Sequence, residues 1–553
     1  MTAGNARPKG RGQGAWVLAA IVALALAVRC LWAFGLLGGR VVWGDEPFYL
    51  WLGHNVLTTG FYSFTGYWDV HHTPLYPLAA GLLSLLTGDL KLASDLCYVL
   101  FGTLLVLPVY GLGRELYGRA AGWAAALTVA MLPSLVVAPL LWGTMTEPIY
   151  LFCVASGMWA LWAGWRRSRW AGFALAGVCF ALAYLARPEA IWYPIALGGA
   201  LGLVQLLRRE RRLAPWGRLL VLGLAFLATV FPYLAYVRVH TGQWMVSEKV
   251  GLAYAHGFAL GHRDYAAFDR VAWGLDSAGT EVWFFSPESY TLSLSEQILA
   301  DVPGFLNLLR LNVLRFVQTL GITRFFPALL FPLLFLGFFR QPWDRRRLEG
   351  ELYLWLSSVS VFSFLIFQVL DRYLTPLLIL LALWLGKGLV EWGDWAVATL
   401  HQTARRASGG WLRAARWGLV VLVAAGLAAL WGPVQTDLQV PNSWRPAHRA
   451  VGEWLAEVAG PDDAIMSRYP AVAFHAGRRW VATANASLDE LRRYAQDKGV
   501  DYLVVDAREL GLRPQFAPLV EGTTPPPWLE LAAVQEEGDE RIVIYRLTGG
   551  AGD

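Results

Sequence analysis

The sequence predicts an α-helical polytopic membrane protein with about eleven transmembrane helices, followed by a small extracytoplasmic α/β domain. The composition predicts a membrane protein: 56% of the 553 residues are hydrophobic, only 16% are charged, and the mean hydropathy is +0.43. Such values exclude an ordinary soluble enzyme. The distribution of charge carries the rest, because arginines are concentrated in alternate connections between the apolar stretches.

Eleven apolar stretches are long enough to cross a bilayer. They lie near residues 15–37, 93–112, 120–141, 145–164, 170–186, 189–207, 217–238, 321–339, 352–370, 373–392 and 413–432. Arginine-rich connections alternate with connections that hold almost none, which places the N-terminus in the cytoplasm and the C-terminus outside. The first stretch is too long for a cleaved signal sequence, so we expect it to be retained. The preference for Arg over Lys favours a GC-rich bacterial genome, and hence the inner membrane of a bacterial cell.

Residues 1–432 form the predicted transmembrane domain, which has two large outer loops, 38–92 and 239–320. The first loop contains two apolar or amphipathic pieces, 46–58 and 74–87. Because they are too short or too polar to span comfortably, we expect them to lie along the membrane surface. The second loop carries many aromatic and charged residues, and we predict a partly helical cover over a cavity.

Residues 433–553 predict a separate soluble α/β domain. Its β-strands are expected near 464–466, 480–482, 501–505 and 541–545. Ser487 and Glu490 have the spacing of a capping box that opens a helix. The four cysteines of the chain lie in apolar stretches elsewhere, so no disulfide is expected. The tail shows no phosphate-binding glycine loop, no metal-spaced cluster and no nucleophile elbow, and we therefore expect a lid or an acceptor-binding module.

An acidic pair, Asp45 and Glu46, follows directly on the first apolar stretch. Two adjacent carboxylates at a membrane surface cost free energy, so their presence needs a structural or a chemical reason. Helix capping is the structural reason, because Asp45 before Glu46-Pro47 is a good start for a helix. A catalytic base that faces outward is the chemical reason, and it is the interpretation we favour. Glu46 then either orients Asp45 or caps the helix.

Five motifs lie in the outer loops or at the outer ends of the spans. They are Gly44-Asp45-Glu46-Pro47-Phe48-Tyr49, His72-Thr73-Pro74-Leu75-Tyr76-Pro77, Thr146-Glu147-Pro148, Ala186-Arg187-Pro188-Glu189-Ala190 and Asp371-Arg372-Tyr373-Leu374-Thr375-Pro376. Their order resembles the membrane-embedded glycosyltransferases of the GT-C class. This order is similar in particular to the branch of family 39 protein O-mannosyltransferases and lipid A aminoarabinose transferases. The resemblance covers nearly the whole membrane region.

The resemblance implies transfer of a sugar from a polyprenyl-phosphate donor to a lipid, glycan or protein hydroxyl outside the membrane, by a single inverting displacement. Asp45 would be the base. Simple chemistry agrees, since phosphate is a good leaving group and the enzyme needs a carboxylate for the acceptor proton and cations for the phosphate. Glu147 is the second predicted acid, which positions substrate hydroxyls or, alternatively, caps a helix.

A set of basic and phenolic side chains is predicted to bind the donor phosphate. Its members are Arg372, Arg187, His71, His72, Tyr76 and Tyr373. Arginine offers a planar fork for phosphate oxygens. Each arginine also has two structural alternatives. One is a salt bridge to a neighbouring acid, Asp371 for Arg372 and Glu189 for Arg187, and the other is snorkelling to the lipid head groups.

His71 and His72 occupy the place where the aminoarabinose-transferase branch has a lysine that contacts lipid phosphate. Histidine is only partly charged near neutral pH, so it would bind phosphate less permanently than lysine. This departure weakens the assignment of the lysine's phosphate-binding role to His71 and His72. Two adjacent histidines would also suit a divalent metal, but no third ligand is evident nearby. We therefore predict no metal site and no required cofactor, with a divalent metal left open, and we expect no nucleic-acid partner.

Two other classes of function remain as alternatives. A transporter or flippase of lipid-linked sugars would be polytopic too, but it would usually show charged residues near mid-span and internal repeats. Here the acids lie at the outer ends. A catalytically silent scaffold and a Zn- or Mn-dependent oligosaccharyltransferase are the remaining alternatives. Replacing Asp45 by Asn separates transfer from transport, and chelation tests for a metal.

Overall fold

Helices build the chain as far as Asn442, and a five-stranded sheet organises the remainder. The structure is a computed structural model that describes residues 11–321, 324–340, 342–403, 409–521, 525–537 and 540–548. The helices up to residue 241 are α1 (Arg11–Cys30), α2 (Glu46–Thr59), α3 (Leu75–Thr87), α4 (Leu90–Leu104), α5 (Val106–Tyr117), α6 (Arg119–Met131), α7 (Pro133–Val136), α8 (Thr146–Arg166), α9 (Trp170–Ala186), α10 (Gly199–Leu207) and α11 (Leu213–Thr241).

The second outer loop and the last spans are helical as well. Their helices are α12 (Lys249–Gly261), α13 (Tyr265–Trp273), α14 (Leu294–Ala300), α15 (Val302–Leu320), α16 (Phe331–Phe339), α17 (Arg345–Ser357), α18 (Val359–Phe362), α19 (Leu377–Thr403), α20 (Gly409–Ala429) and α21 (Trp431–Gln439). Tight 3₁₀ turns include Ala138–Leu141, Pro188–Ile191, Trp283–Phe285, Pro287–Thr291, Ala328–Leu330, Ser363–Leu365, Asp371–Leu374 and Val440–Asn442, and wide π turns cover Leu31–Leu36 and Pro194–Gly198. The prediction that loop 239–320 is partly helical is confirmed.

Six helical segments of the described residues are long and apolar enough to cross a membrane, judged by length and composition. They are Gly14–Leu36, Leu90–Tyr117, Thr146–Arg166, Pro188–Leu207, Leu213–Thr241 and Gly418–Asn442. These six coincide with the first, second, fourth, sixth, seventh and eleventh predicted spans. The α-helical polytopic fold class with a C-terminal domain is therefore confirmed.

The other five predicted spans are helical but do not meet the same criteria of length and composition. The stretch 120–141 is interrupted at Leu132, because Pro133 lacks the N–H that would continue the ladder and disfavours a helical residue before it. The stretch 352–370 divides into α17, α18 and a 3₁₀ turn. Such breaks are tolerated at membrane depth only where neighbouring groups satisfy the freed carbonyls.

Arg29 satisfies the carbonyls that the break after α6 leaves free. Its guanidinium is buried and lies 3.3 Å from the carbonyl oxygen of Val129 and 3.5 Å from that of Ala130. The indole N–H of Trp431 donates to Met131 at 2.9 Å. A cation at a helix C-terminus complements the helix dipole. The chain that leaves this break leads to Gly143, which contacts the candidate site.

Helices α2 and α3 pack with their backbones in direct contact. A Cβ placed on Gly53 would overlap the carbonyl oxygen of Pro77, and one on Gly81 would overlap the carbonyl oxygen of Gly53. Both predicted pieces of the first outer loop are thus confirmed as helices. Their position along the membrane surface stays a prediction.

The C-terminal sheet has the order β2-β1-β3-β5-β4. Its elements are α22 (Arg445–Val458), β1 (Ala464–Ser467), α23 (Pro470–Ala476), β2 (Arg479–Ala482), α24 (Leu488–Asp497), β3 (Tyr502–Asp506), the 3₁₀ turns Ala507–Gly511 and Pro514–Phe516, α25 (Ala517–Glu521), β4 (Leu529–Glu537) and β5 (Glu540–Leu547). Strand β1 is parallel to β2 and β3, whereas β5 is antiparallel to β3 and β4. The four predicted strands and the Ser487 capping box are present.

The hydrophobic core of this sheet domain includes residues from the outer loops. Phe48 of α2 is buried in it, and so are Val282 and Phe285 of the second loop. The Phe48 ring lies 5.0 Å from the ring of Trp480 on β2. The helical segment Gly418–Asn442 also runs through the predicted boundary at residue 433. The tail and the outer loops therefore share one core and form one packed unit.

Replacement of Gly53 by Ala is expected to destabilise the protein. The added methyl would meet the Pro77 carbonyl, and overpacking of this kind costs about 1–3 kcal/mol. Thermal unfolding of purified protein in lipid, followed by tryptophan fluorescence, should show a lowered Tm. Gly223→Ala in α11, where nothing lies within 4 Å of an added Cβ, is the matched control. Equal Tm values for the two variants would contradict the close α2–α3 contact.

Candidate active site

Asp45 lies on the loop before α2, and its side chain does not cap the helix. Gly44 has φ +64, and a Cβ there would lie 2.9 Å from the carbonyl oxygen of Gly143, so the turn requires glycine. Asp45 occupies the N-cap position, but its carboxylate makes no capping hydrogen bond. Its side chain is 49% exposed and lies 3.6 Å from Arg372 Nη2. The capping explanation is therefore wrong for the Asp45 carboxylate.

Glu46, the neighbour of Asp45, is fully buried. Its two carboxylate oxygens accept hydrogen bonds from Arg40 Nη1 and Nη2, each at 2.7 Å, and Ser94 donates to Oε1 as well. Arg40 Nε also donates to Asp95 at 2.9 Å. With its oxygens satisfied inside the protein, Glu46 fixes the start of α2 and leaves Asp45 as the carboxylate that faces outward.

Tyr76 belongs to the same buried network. Its side chain is fully buried, and its hydroxyl lies 2.9 Å from Ser94 Oγ. Ser94 thus connects Tyr76 to Glu46, and the Tyr76 ring also lies 5.6 Å from the ring of Tyr49. A role of Tyr76 as a phosphate ligand stays a prediction.

Glu147 and Arg187 form a buried ion pair at 2.9 Å. Glu147 lies in the first turn of α8, and its other oxygen accepts a hydrogen bond from Thr144 Oγ1 at 2.9 Å. Arg187, at the end of α9, also donates from Nε to Glu189 at 2.5 Å. The alternative predicted for Arg187, a pairing with Glu189, is therefore real. Two carboxylates already hold this arginine.

Arg372 is differently placed. The alternative predicted for it, a salt bridge to Asp371, is wrong, because Asp371 pairs with Arg324 at 2.7 Å. Among the described residues, the acid in contact with Arg372 is Asp45. Arg372 Nη2 also lies 3.3 Å from the hydroxyl of Tyr373, whose ring faces the guanidinium of Arg187 at 5.0 Å. Asp45, Arg372, Tyr373 and Arg187 thus form one contiguous set.

Tyr49 connects this set to the histidines of the first outer loop. Burial raises the pKa of Tyr49, and the negative charge of Asp45 raises it further, so its hydroxyl stays protonated. The rings of Tyr49 and His72 meet edge to face at 4.9 Å. Tyr49 therefore lies between the Asp45–Arg372 pair and His72.

Both predicted histidines are buried beside carboxylates. His72 Nδ1 lies 3.0 Å from Asp69 Oδ2, and the backbone N–H of His72 donates to Asp69 at 2.8 Å. His71 Nδ1 lies 2.6 Å from Glu248 Oε1. Burial lowers the pKa of His72 below its usual value, and the charge of Lys249 lowers it further. His72 is therefore a poor permanent cation for a phosphate.

Lys249 is the residue that sequence reasoning missed. It is partly buried at the start of α12 and makes no ion pair or hydrogen bond with another residue that the structure describes. Burial and the charge of Lys249 together lower the pKa of His256 to about 4, and the same charge also acts on His72. One signal was available, because Lys249 is the single lysine of the long loop 239–320.

No metal cage emerges from these residues. Within the described ranges, no group of three or more His, Cys, Asp or Glu side chains is placed to hold a metal ion. His72 instead lies against Asp69, and His71 lies against Glu248. Dependence on a divalent metal stays a matter for experiment.

Replacement of Arg40 by Leu is expected to destabilise the protein strongly. It leaves the Glu46 carboxylate buried without its cation, and a broken buried pair typically costs about 3–5 kcal/mol. The Tm of purified protein should fall by several degrees. Asp45→Asn, which alters a half-exposed carboxylate next to Glu46, should leave the Tm almost unchanged. A similar Tm for both variants would show that Glu46 does not need Arg40.

Comparison with known proteins bears on the fold of the membrane region. Residues 71–236 match the family model described as dolichyl-phosphate-mannose-protein mannosyltransferase. No curated protein matches the sequence.

Solved structures match over most of the chain. ArnT from Cupriavidus metallidurans bound to undecaprenyl phosphate aligns with a TM-score of 0.58 and 14% identity, over 97% of this chain and 98% of that chain. Its apo state gives 0.54 and 17%, over the same shares. The archaeal oligosaccharyltransferase AglB from Archaeoglobus fulgidus, in complex with an inhibitory peptide and a dolichol-phosphate, gives 0.50 and 15%, over 90% and 70%. The resemblance predicted from the sequence is confirmed: the chain has the fold of the GT-C membrane glycosyltransferases.

Proposed function

We propose that this protein is an integral-membrane glycosyltransferase that moves a sugar from a polyprenyl-phosphate donor to an acceptor hydroxyl outside the membrane. One observation carries the proposal: a half-exposed carboxylate, Asp45, lies against Arg372 in a chain with six helical segments apolar enough to cross a membrane. The comparisons support the same function, since the matched ArnT structure contains undecaprenyl phosphate and the matched AglB structure contains dolichol-phosphate.

The reaction is a single displacement at the anomeric carbon of the donor sugar. The acceptor oxygen forms a bond to that carbon while the bond from carbon to the phosphate oxygen breaks. Asp45 takes the proton of the acceptor hydroxyl, and polyprenyl phosphate leaves with the bonding electrons. Because attack and departure occur on opposite faces of the sugar, the configuration inverts. A phosphate leaving group needs cations rather than a strong general acid.

Arg372 has two tasks in this scheme. Without donor it neutralises Asp45 across 3.6 Å, a loose contact between partly exposed groups that is worth little free energy. When the donor phosphate binds, its oxygens compete for the guanidinium fork. The Asp45 carboxylate is then released from this contact and becomes available to the acceptor hydroxyl. Donor binding thereby prepares the base for the acceptor.

Lys249 is the second cation that we propose for the phosphate. Arg187 is held by Glu147 and Glu189, and the histidines of the first loop are held by carboxylates, so none of these has a free charge to offer. Lys249 has no such partner among the described residues. Its charge acts on His72, whose ring contacts Tyr49. We propose that His71 and His72 shape this part of the site.

The remaining predicted residues support the two cations and the base. The Glu147–Arg187 pair holds the aromatic ring of Tyr373, which in turn contacts Arg372. Glu46 fixes the start of the helix that carries Asp45. These are positioning roles. The outward face of the site and the arginine distribution support an inner-membrane protein with a cytoplasmic N-terminus.

Asp45→Asn is expected to abolish transfer and to preserve donor binding. Loss of a general base typically lowers a rate by about 10²–10⁴-fold. Purified protein in lipid would be offered a panel of polyprenyl-phosphate sugars with envelope extract as acceptor, and mass spectrometry would follow donor binding and release of free polyprenyl phosphate. Asp437→Asn is the matched control, because Asp437 is similarly exposed and pairs with Arg324.

Three outcomes of that experiment contradict parts of the proposal. Full activity of Asp45→Asn would exclude it as the base. Loss of activity on chelation would point to a metal-dependent mechanism. No consumption of any donor in a broad panel, with movement of the donor between the leaflets of the bilayer instead, would favour a flippase.

Lys249→Met is expected to weaken donor binding with a smaller effect on kcat. A hydrogen bond to a charged group is worth about 1.5–3 kcal/mol, which corresponds to roughly 10- to 100-fold in KM for the donor. Lys249→Arg should restore most of the affinity. Lys387→Met, which removes a lysine paired with Glu391 on α19, is the control. An unchanged KM for Lys249→Met would remove Lys249 from the phosphate site.

A further inference from the structure

Two arginines of the sheet domain contact the loop that leads to Asp45. Arg449 of α22 donates from Nη1 to the carbonyl oxygen of Gly39 at 2.8 Å. Arg445, at the start of the same helix, stacks its guanidinium 3.0 Å from the centroid of the Trp43 ring. Arg445 is almost completely buried, so this contact is part of the interior.

His475 of α23 contacts the backbone of the same loop, three residues before the base. The backbone N–H of Val42 donates to His475 Nε2 at 3.3 Å, and Val42 itself is fully buried. The bond needs a ring nitrogen without a proton. Burial and the neighbouring charge of Arg449 lower the pKa of His475 to about 4, so the ring is neutral at physiological pH and Nε2 can accept.

The sheet domain also holds the chain on the other side of Asp45. Phe48 lies three residues after the base, as Val42 lies three residues before it. The Phe48 ring is buried in the core of the sheet domain, next to Trp480. Because both flanking residues are fixed by the same domain, the backbone of Asp45 has little freedom to move.

We propose that the C-terminal sheet domain positions Asp45 for catalysis and that His475 is a positioning residue through which it does so. This inference rests on the proposed function, because it assigns His475 a role toward the base of that reaction. His475 does not touch the substrate. It fixes the amide of Val42 and thereby the turn that aims the Asp45 carboxylate at Arg372.

The geometry of the site explains why such positioning matters. Asp45 and Arg372 are 3.6 Å apart and partly exposed, so their own attraction is too weak to fix the loop. A base must lie within hydrogen-bond reach of the acceptor proton, and a misplacement of about 1 Å can cost roughly 100-fold in rate. The sheet domain supplies the rigidity that the ion pair lacks.

The test compares full-length wild type with His475→Leu and His475→Gln in lipid nanodiscs. Leucine removes the acceptor, whereas the side-chain oxygen of glutamine can take the place of Nε2. Hydrogen–deuterium exchange of the peptide that contains Val42 should rise about tenfold in His475→Leu and stay near wild type in His475→Gln. Arg478→Leu, which removes contacts within the sheet domain alone, is the control.

Transfer is then measured with the donor that wild type consumes. We expect kcat to fall at least tenfold in His475→Leu, with an unchanged KM for the donor, and to recover in His475→Gln. Unaltered exchange at Val42 in His475→Leu would overturn the inference. Raised exchange with an unchanged kcat would overturn it too, because the loop would then have been loosened without any effect on catalysis by Asp45.

A second variant guards against a folding defect in His475→Leu. Arg449→Met removes the bond to Gly39 from a partly exposed position, and it should raise exchange in the same loop. Absence of transfer by wild type with every donor would overturn the proposed function and the catalytic role of His475 with it. The exchange measurements would still show whether His475 holds the loop, so the two failures are distinguishable.

Discussion

The buried pair of Arg40 and Glu46 is the interaction on which the candidate site depends. Glu46 cannot be ionised inside the protein without a cation, and Arg40 provides two hydrogen bonds to it and one to Asp95. This arrangement fixes the first turn of α2. The two adjacent acids therefore differ in their surroundings. Glu46 is buried and anchors the helix, whereas the half-exposed Asp45 lies beside Arg372.

The sequence predicts well what depends on neighbouring residues. Six of the eleven membrane-crossing stretches, the capping box at Ser487 and four strands of the tail follow from local composition and period, and the structure has them. Strand β4 was missed, because Leu529–Glu537 mixes alanine and glutamate at one edge of the sheet. The broken spans were missed in part, since Pro133 interrupts a stretch whose composition alone predicts a continuous helix.

Contacts between residues that are distant in the chain could not be predicted from the sequence. Asp371 stands next to Arg372 in the chain but pairs with Arg324, which leaves Arg372 to Asp45. Tyr76 belongs to a promising motif, yet folding buries it. Lys249 was passed over, because its lack of an acidic partner among the described residues becomes visible only once the partners of the other cations are known. Each case was decided by which side chains share a buried space, and no local pattern encodes that.

The shared core of the tail and the outer loops has a consequence for biosynthesis. Val42 and His475 are 433 positions apart in the chain. At a synthesis rate of about 5–20 residues per second, the partner of Val42 emerges roughly 20–90 seconds after it. During this interval the core that buries Phe48 has not yet formed, so its aromatic ring stays accessible to chaperones and proteases. The surroundings of the base can therefore be completed only after the sheet domain has been synthesised.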